Sequence, residues 1–154
     1  MQTRIYVPTT TTGIRRLAVE GVLADLPIAG YAVTPALRQA HPGADEEDLE
    51  YAAFLDATSA AVIGGARSGG LGSTPARRVV LAADVDADAV VEAGDVGGGA
   101  GGSGAGSAVL IREPIARRQI VSLHVQAPST VVAGADEYLW YDVTELDALV
   151  ADLG

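Results

Sequence analysis

The stretch Asp45–Ile63, DEEDLEYAAFLDATSAAVI, limits the possible folds more than any other part of the chain. It has the length and residue types of one long helix. Asp45 can cap the first free N–H groups, and Glu46, Glu47 and Asp48 put negative charge on the positive end of the helix dipole. Gly64-Gly65 supplies a stop. At about 100° per residue, Leu49, Tyr51, Leu55, Val62 and Ile63 fall on one broad arc, while Ala53, Ala57, Ala60 and Ala61 fill most of the opposite side. A helix that is apolar nearly all round is expected to be buried, as a central helix on which strands pack. Asp56 falls inside the larger arc, between Leu49 and Ile63. It is either buried against an Arg, the only strong cation in a Lys-free chain, or placed at the rim.

The flanking sequence supplies the strands. Arg4–Val7 (RIYV) reads as a strand ended by Pro8, and Thr11 or Thr12 can cap a helix over Gly13–Leu23 that Pro27 breaks. Ile28–Val33 is a second strand. Thr34-Pro35, a cap followed by Pro at the first helical position, opens a short helical turn over Pro35–Ala40. Arg78–Asp84 (RVVLAAD) is continuously apolar, as an inner strand covered on both faces would be. A helical turn fits within Asp86–Glu92. Ala108–Ile111 and Ile120–Val125 are further strands, with a turn at Pro114–Arg118 between them. Tyr138–Val143 fits either a last strand or an early helical turn. Thr144, with Asp147 at the capping-box position, then opens a helix over Glu145–Leu153. The expected fold is a single layered α/β or α+β domain over residues 1–154. Its mixed sheet has about five strands around the long central helix, in the order β-α-β-α-β-β-α. Residues 94–107 form a Gly-rich segment expected to be a flexible loop. Because Gly97–Ser107 holds only Gly, Ala and Ser, replacing it with a short turn is expected to change stability by no more than about 1 kcal/mol.

Charge and missing residue types narrow the function. The net charge is −10, and the ten cations, all Arg, occur as pairs such as Arg15-Arg16, Arg77-Arg78 and Arg117-Arg118 rather than as a stripe. That argues against broad contact with nucleic-acid phosphates. The absence of Lys and Asn beside abundant Ala, Gly, Arg and Asp fits a GC-rich genome. No run approaches the roughly 18–20 apolar residues of a membrane span. The N-terminus lacks a basic region followed by an apolar core, and there is no Cys, so a cytoplasmic location is expected. Without Lys or Cys, a Gly-Lys-Ser/Thr phosphate loop, Lys Schiff-base chemistry and thiol catalysis are all closed to the chain.

The remaining motifs lack their contexts. A GxGxxG at Gly97, Gly99 and Gly102 leads into a strand, whereas a dinucleotide site needs it to open a helix. Asp84, Asp86 and Asp88 have the spacing that starts a calcium loop, but Ala89 and Asp95 stand where Gly and Glu are needed. No cofactor and no metal centre is expected. Ser122 and His124 share a strand face with Gln126, yet no nucleophile-elbow motif surrounds Ser122. One constellation is more informative. If the first two strands are parallel neighbours, the Thr9–Thr12 loop and the Thr34-Pro35 helix start sit side by side. Thr12, Thr34 and Arg38 would then frame an anion site. Ordinary helix capping is the simpler account of both threonines.

RIYVP at Arg4–Pro8, AVTPALR at Ala32–Arg38, EDLEYAA at Glu47–Ala53, RRVVLAADV at Arg77–Val85, SLHV at Ser122–Val125 and LWYDVTEL at Leu139–Leu146 stand in order along the chain. Together they resemble a family of small proteins from high-GC Gram-positive bacteria that carries a domain-of-unknown-function label. The resemblance implies a cytoplasmic single-domain protein, and brings no activity, cofactor or catalytic residue with it. The Thr9–Thr12 run and the Gly-rich segment depart from the pattern. Two functions fit these observations. The first is a non-catalytic binding or regulatory domain acting through a protein partner. The second is a small-molecule or phosphate-ester binding protein, or an enzyme, using Thr12, Thr34 and Arg38. Oligomeric state is open in both.

Overall fold

The computed structural model describes residues 1–24, 26–67, 78–92, 106–126 and 138–153. The elements run β1 (Gln2–Thr10), α1 (Thr11–Glu20), β2 (Val22–Leu23), β3 (Ile28–Ala32), α2 (Pro35–Ala40), α3 (Glu46–Arg67), β4 (Arg78–Asp86) and β5 (Val90–Glu92). They continue with β6 (Ala108–Ile111), β7 (Ile115–Ala116), β8 (Ile120–Gln126), β9 (Tyr138–Asp142) and α4 (Leu146–Leu153). Seven strands form one sheet in the order β5-β6-β3-β1-β4-β8-β9, and β2 pairs separately with β7. Every neighbouring pair in the large sheet is antiparallel. The layered domain is therefore as expected in kind. The mixed sheet of about five strands is corrected to an antiparallel one of seven, with a different order of elements. The expectation failed because a continuously apolar strand reports that both its faces are covered, not which way its neighbours run.

Alternation along the inner strands divides the interior in two. Ile5 and Val7 of β1, with Val79, Leu81, Ala83 and Val85 of β4, face α1 and α4, which bury Ile14, Leu17, Leu146 and Leu149 against them. Tyr6, Val80 and Ala82 face the other way, onto Leu37 of α2 and Leu49, Ala53 and Ala57 of α3. α3 thus covers one face of a sheet whose larger core lies on the opposite face. Burial all round is also corrected: Tyr51 is 62% and Leu55 44% exposed, while Leu49, Ala53 and Ala57 are buried. Tyr6 and Tyr31 on the sheet side fill the space between the layers, so the helix meets them with its small residues. A helix apolar all round carries no periodicity that could have selected that face.

The helix ends follow local chemistry. Asp45 accepts from the N–H of Asp48 at 2.9 Å, as expected of a cap, but α3 runs through Gly64-Gly65 to Arg67. α1 is capped by Thr10, which accepts from Gly13 N at 3.3 Å, rather than by Thr11 or Thr12. It ends at Gly21 (φ 74°), whose N–H reaches Leu17 O at 2.8 Å, well before Pro27. β1 passes through Pro8. The Tyr6 carbonyl lies on the β3 side, against Gly30, and Pro8, two residues on, turns its nitrogen the same way, past the last β1–β3 pair. No ladder bond is lost there, so Pro8 does not end the strand. Tyr138–Asp142 is a strand. The box that follows it is made by Asp142 and Glu145, through Thr144 N to Asp142 Oδ1 and Asp142 N to Glu145 Oε2, both 2.9 Å. Asp147 instead meets Arg117 at 3.0 Å.

Residues 93–105, which include the GxGxxG glycines, lie outside the described residues. The segment's last two residues are packed, against the expectation that Gly97–Ser107 is dispensable. The Thr34 hydroxyl donates to the Gly106 carbonyl, and the Ser107 hydroxyl donates to the Asp56 carboxylate. The Ser107 carbonyl accepts from Ala32 N at 2.9 Å, and Ser107 is fully buried. Gly106 sits at φ 108°, where a Cβ would come within 2.9 Å of Leu37 N. The partner of Asp56 is therefore a serine hydroxyl rather than an arginine. Thr34 also caps α2, accepting from Leu37 N at 3.1 Å. Thr34→Ala removes both bonds and should lower unfolding free energy by about 1–3 kcal/mol, with Thr34→Ser nearly silent. Urea unfolding checks this, and equal midpoints for parent and Thr34→Ala would refute it.

Candidate functional site

The sheet face under α3 carries most of the polar and aromatic residues that strand register brings together. Arg4 pairs with Asp84, Tyr6 with Ala82 and Pro8 with Val80 across β1–β4. Ser122 lies opposite Ala82 and His124 opposite Val80 across β4–β8. Asp142 and Trp140 stand opposite Ser122 and His124 across β8–β9. α3 packs on β1, β3 and β4, so β8 and β9 lie to its side. The result is a groove of about 400 Å³ with Tyr6, Ala82, Ser122 and His124 on its floor. Glu47, Glu50, Tyr51 and Phe54 of α3 form one wall, Trp140 the other, and Arg4 one end. An adjoining hollow of about 360 Å³ shares Tyr51, Phe54 and His124 and extends to Leu55, Thr58 and Tyr138.

Phe54 lies at the centre of this arrangement. Its ring lies 4.7 Å from that of His124, 5.8 Å edge-on from Tyr6 and 6.1 Å edge-on from Tyr138. Trp140 is 60% exposed, so together with Tyr51 it presents aromatic surface to solvent. The Arg4 guanidinium is already engaged, Nε to Asp84 Oδ1 at 2.5 Å and Nη2 to Asp84 Oδ2 at 3.1 Å, and this pairing raises its pKa further. With Arg4 balanced by Asp84, the carboxylates of Glu47 and Glu50 set the sign of the groove. Burial, followed by the nearby charge of Glu50, pushes the Tyr6 phenol above its ordinary 10 and keeps it protonated.

Burial pushes His124 below its ordinary 6.5, so the ring is neutral near pH 7. Its Nε2 is 3.3 Å from Ser122 Oγ. Strand alternation had placed these two on one face, and they do meet. Ser122 is only 5% exposed, however, and among the described residues no carboxylate hydrogen-bonds His124, so a complete acyl-transfer triad is not assembled. Among the described residues no three His, Asp or Glu side chains cluster as metal ligands. Asp84 is held by Arg4, and Asp86 accepts from Asp88 N at 3.0 Å to cap a turn.

The three residues expected to frame an anion site are not gathered. β1 and β3 run antiparallel, with Ile5 opposite Ala32 and Tyr6 opposite Tyr31. The chain therefore leaves β3 near the level of Ile5, while Thr10 lies roughly 17 Å further along β1. Thr12 is in the first turn of α1, at the far end of the sheet from Thr34 and Arg38. Thr34 is occupied by its cap and by Gly106, and Arg38 pairs with Glu46 at 2.8 Å. Tyr6, Glu50, Phe54 and Trp140 are groove residues the sequence did not single out, and Glu47 stood out only as a charge at the start of α3. For Trp140 the local signal is alternation within Tyr138–Asp142, which puts Tyr138, Trp140 and Asp142 on a common face.

His124 gives the groove a measurable pH signature. Above about pH 6.5 the ring is neutral in both folded and unfolded chains. As pH falls below that value the unfolded chain takes a proton that the folded one resists, so stability declines until the folded ring also titrates. Urea titrations between pH 7 and 5 should show this fall, and His124→Gln should remove that part of it while leaving the carboxylate-driven loss at lower pH. Parallel pH profiles for parent and variant would contradict the assignment.

No curated protein and no solved structure matches the chain. Residues 3–137 match a family of unknown function, DUF6912, a span that carries the groove floor and the α3 wall but stops just before β9. With most of its length matched, the chain belongs to that family.

Proposed function

We propose that the protein is a non-catalytic binding domain whose groove between α3 and β8–β9 takes a basic segment of a protein partner. The observation that carries this reading is the combination of exposed aromatic surface, Tyr51 and Trp140, with the carboxylates Glu47 and Glu50 in one groove. Aromatic faces attract cations by roughly 0.5–2 kcal/mol each, and carboxylates add charge-assisted hydrogen bonds. Arg4 is a built-in example of the chemistry: a guanidinium lies at the groove's end, near Tyr6 and against a carboxylate. The net charge of −10 would draw a basic segment toward this surface and repel an acidic one. Such a role needs neither cofactor nor metal, and it suits a cytoplasmic domain. The phosphate-ester reading built on Thr12, Thr34 and Arg38 has less support, because Thr12 lies away from the other two and both of those are already bonded.

Trp140 is the only tryptophan in the chain, so its fluorescence reports directly on the groove. Titration with an arginine-containing heptapeptide should change that emission saturably, and calorimetry should give the same affinity. Glu47→Gln with Glu50→Gln should weaken binding about tenfold and reduce its salt dependence. Trp140→Ala, followed by calorimetry, should weaken it similarly. An acidic peptide that binds as well as the basic one, or variants that leave the affinity unchanged, would overturn the reading.

A further inference from the structure

β9 is the last strand of the sheet, paired on one side with β8 in unbroken register from Ser122–Asp142 to Gln126–Tyr138. Among the described residues nothing pairs with its outer side. Exposed sheet edges ordinarily carry a Pro, a Lys, a bulge or an inward charge, or are kept very short, because an open row of N–H and C=O groups recruits other strands. The opposite edge, β5, follows that rule, with three residues ending in Glu92. β9 reads YLWYD, five residues with no Pro, no Gly, no cation and no bulge. Its one charge, Asp142, is turned into the cap of the following turn through Thr144. Leu139 is 42% exposed on one face and Trp140 is exposed on the other. In a chain of net charge −10, this edge is, among the described residues, open to pairing.

The geometry points to β-strand addition: an extended, basic segment of a partner protein hydrogen-bonds to the outer edge of β9. This inference rests on the reading of the groove as a cation site and specifies how the segment is held. A strand added there lies roughly 4.8 Å beyond β9, with alternate side chains on the face that carries Trp140. A long cationic side chain at such a position lies over the indole, within about one Debye length of the α3 carboxylates. The intervening side chains meet Leu139 on the opposite face. The segment therefore alternates Arg or Lys with an apolar residue, and its backbone supplies the affinity common to all such sequences. A second copy of this chain is the competing occupant. It is disfavoured because each copy brings a net charge of −10 and no cation in its β9.

The test uses the full chain and three peptides: an alternating Arg-Val heptapeptide and its two isomers N-methylated at odd or at even positions. N-methylation removes the donors along one side of a strand and leaves the side chains in place. Binding is read by Trp140 fluorescence, and hydrogen exchange is followed at the β9 amides. The expected result is that the parent peptide and one isomer bind, the other isomer binds at least tenfold more weakly, and the outward β9 amides gain protection. Equal binding by all three peptides would overturn strand addition while leaving the cation groove standing. Binding by none, with the Glu47 and Glu50 variants also without effect, would remove both. Protection of β9 that rises with protein concentration in the absence of peptide would assign the edge to a second copy instead.

Discussion

The nine-residue antiparallel ladder between β1 and β4, from Gln2 opposite Asp86 to Thr10 opposite Arg78, is the constraint on which the other parts depend. β4 is buried on both faces over Val79–Ala83, and β1 over Ile5–Val7, so there each alternate side chain is committed to one core or the other. A slip of one residue would send Tyr6 under α1 and Ile5 under α3, reversing the contents of the two layers. The same register sets Arg4 beside Asp84 and Tyr6 beside Ala82, which fixes one end and part of the floor of the groove. The strongly apolar face takes α1 and α4, and the face with tyrosines takes the alanine stripe of α3. Fold and candidate site are thus two results of one pairing.

Much of the local structure was legible because its determinants lie within a few residues. Asp45 and Thr34 declare their helices by side-chain oxygens three residues before the N–H groups they accept. Arg78–Asp84 reads as an inner strand because its five residues between the two charged ends, Val79–Ala83, are all apolar. The errors fall where the decisive partner is distant in sequence. Nothing local to Arg4–Val7 and Ile28–Val33 states that the two strands run antiparallel, and the expected anion site depended on the opposite choice. The expectation that α3 is buried all round failed for a related reason. With apolar residues on every side, the choice of face belongs to Tyr6 and Tyr31 across the interface rather than to the helix. The Ser107 contact with Asp56 spans 51 residues and involves a serine that composition alone assigns to a linker.

The groove shows the same division. Ser122 and His124 were visible as a polar pair because period-two alternation needs only one strand. Their neighbours were not. Trp140 reaches His124 through the β8–β9 register, and Phe54 reaches it from a helix on the other side. Lowered basicity at His124 follows from that enclosure, which no inspection of SLHV could supply. Alternation within YLWYD carried partial information, since it put the aromatic side chains on known alternate positions without saying what they would face.

α3 is gripped on one flank and open on the other. On the flank toward β3 and β6, Asp56 is held by Ser107, which is itself bonded to the backbone of Ala32. On the flank toward β8 and β9, Tyr51 and Phe54 line the groove. The Ser107–Asp56 bond, together with the buried Leu49, Ala53 and Ala57, resists rolling of α3 about its own axis and so favours one position for the opposite wall. A guest arriving there meets surfaces already in place, and little of its binding free energy is spent on ordering them. The serine at the end of a glycine tract, on the other flank of the helix, thereby acts as a mechanical stop for a groove it does not line.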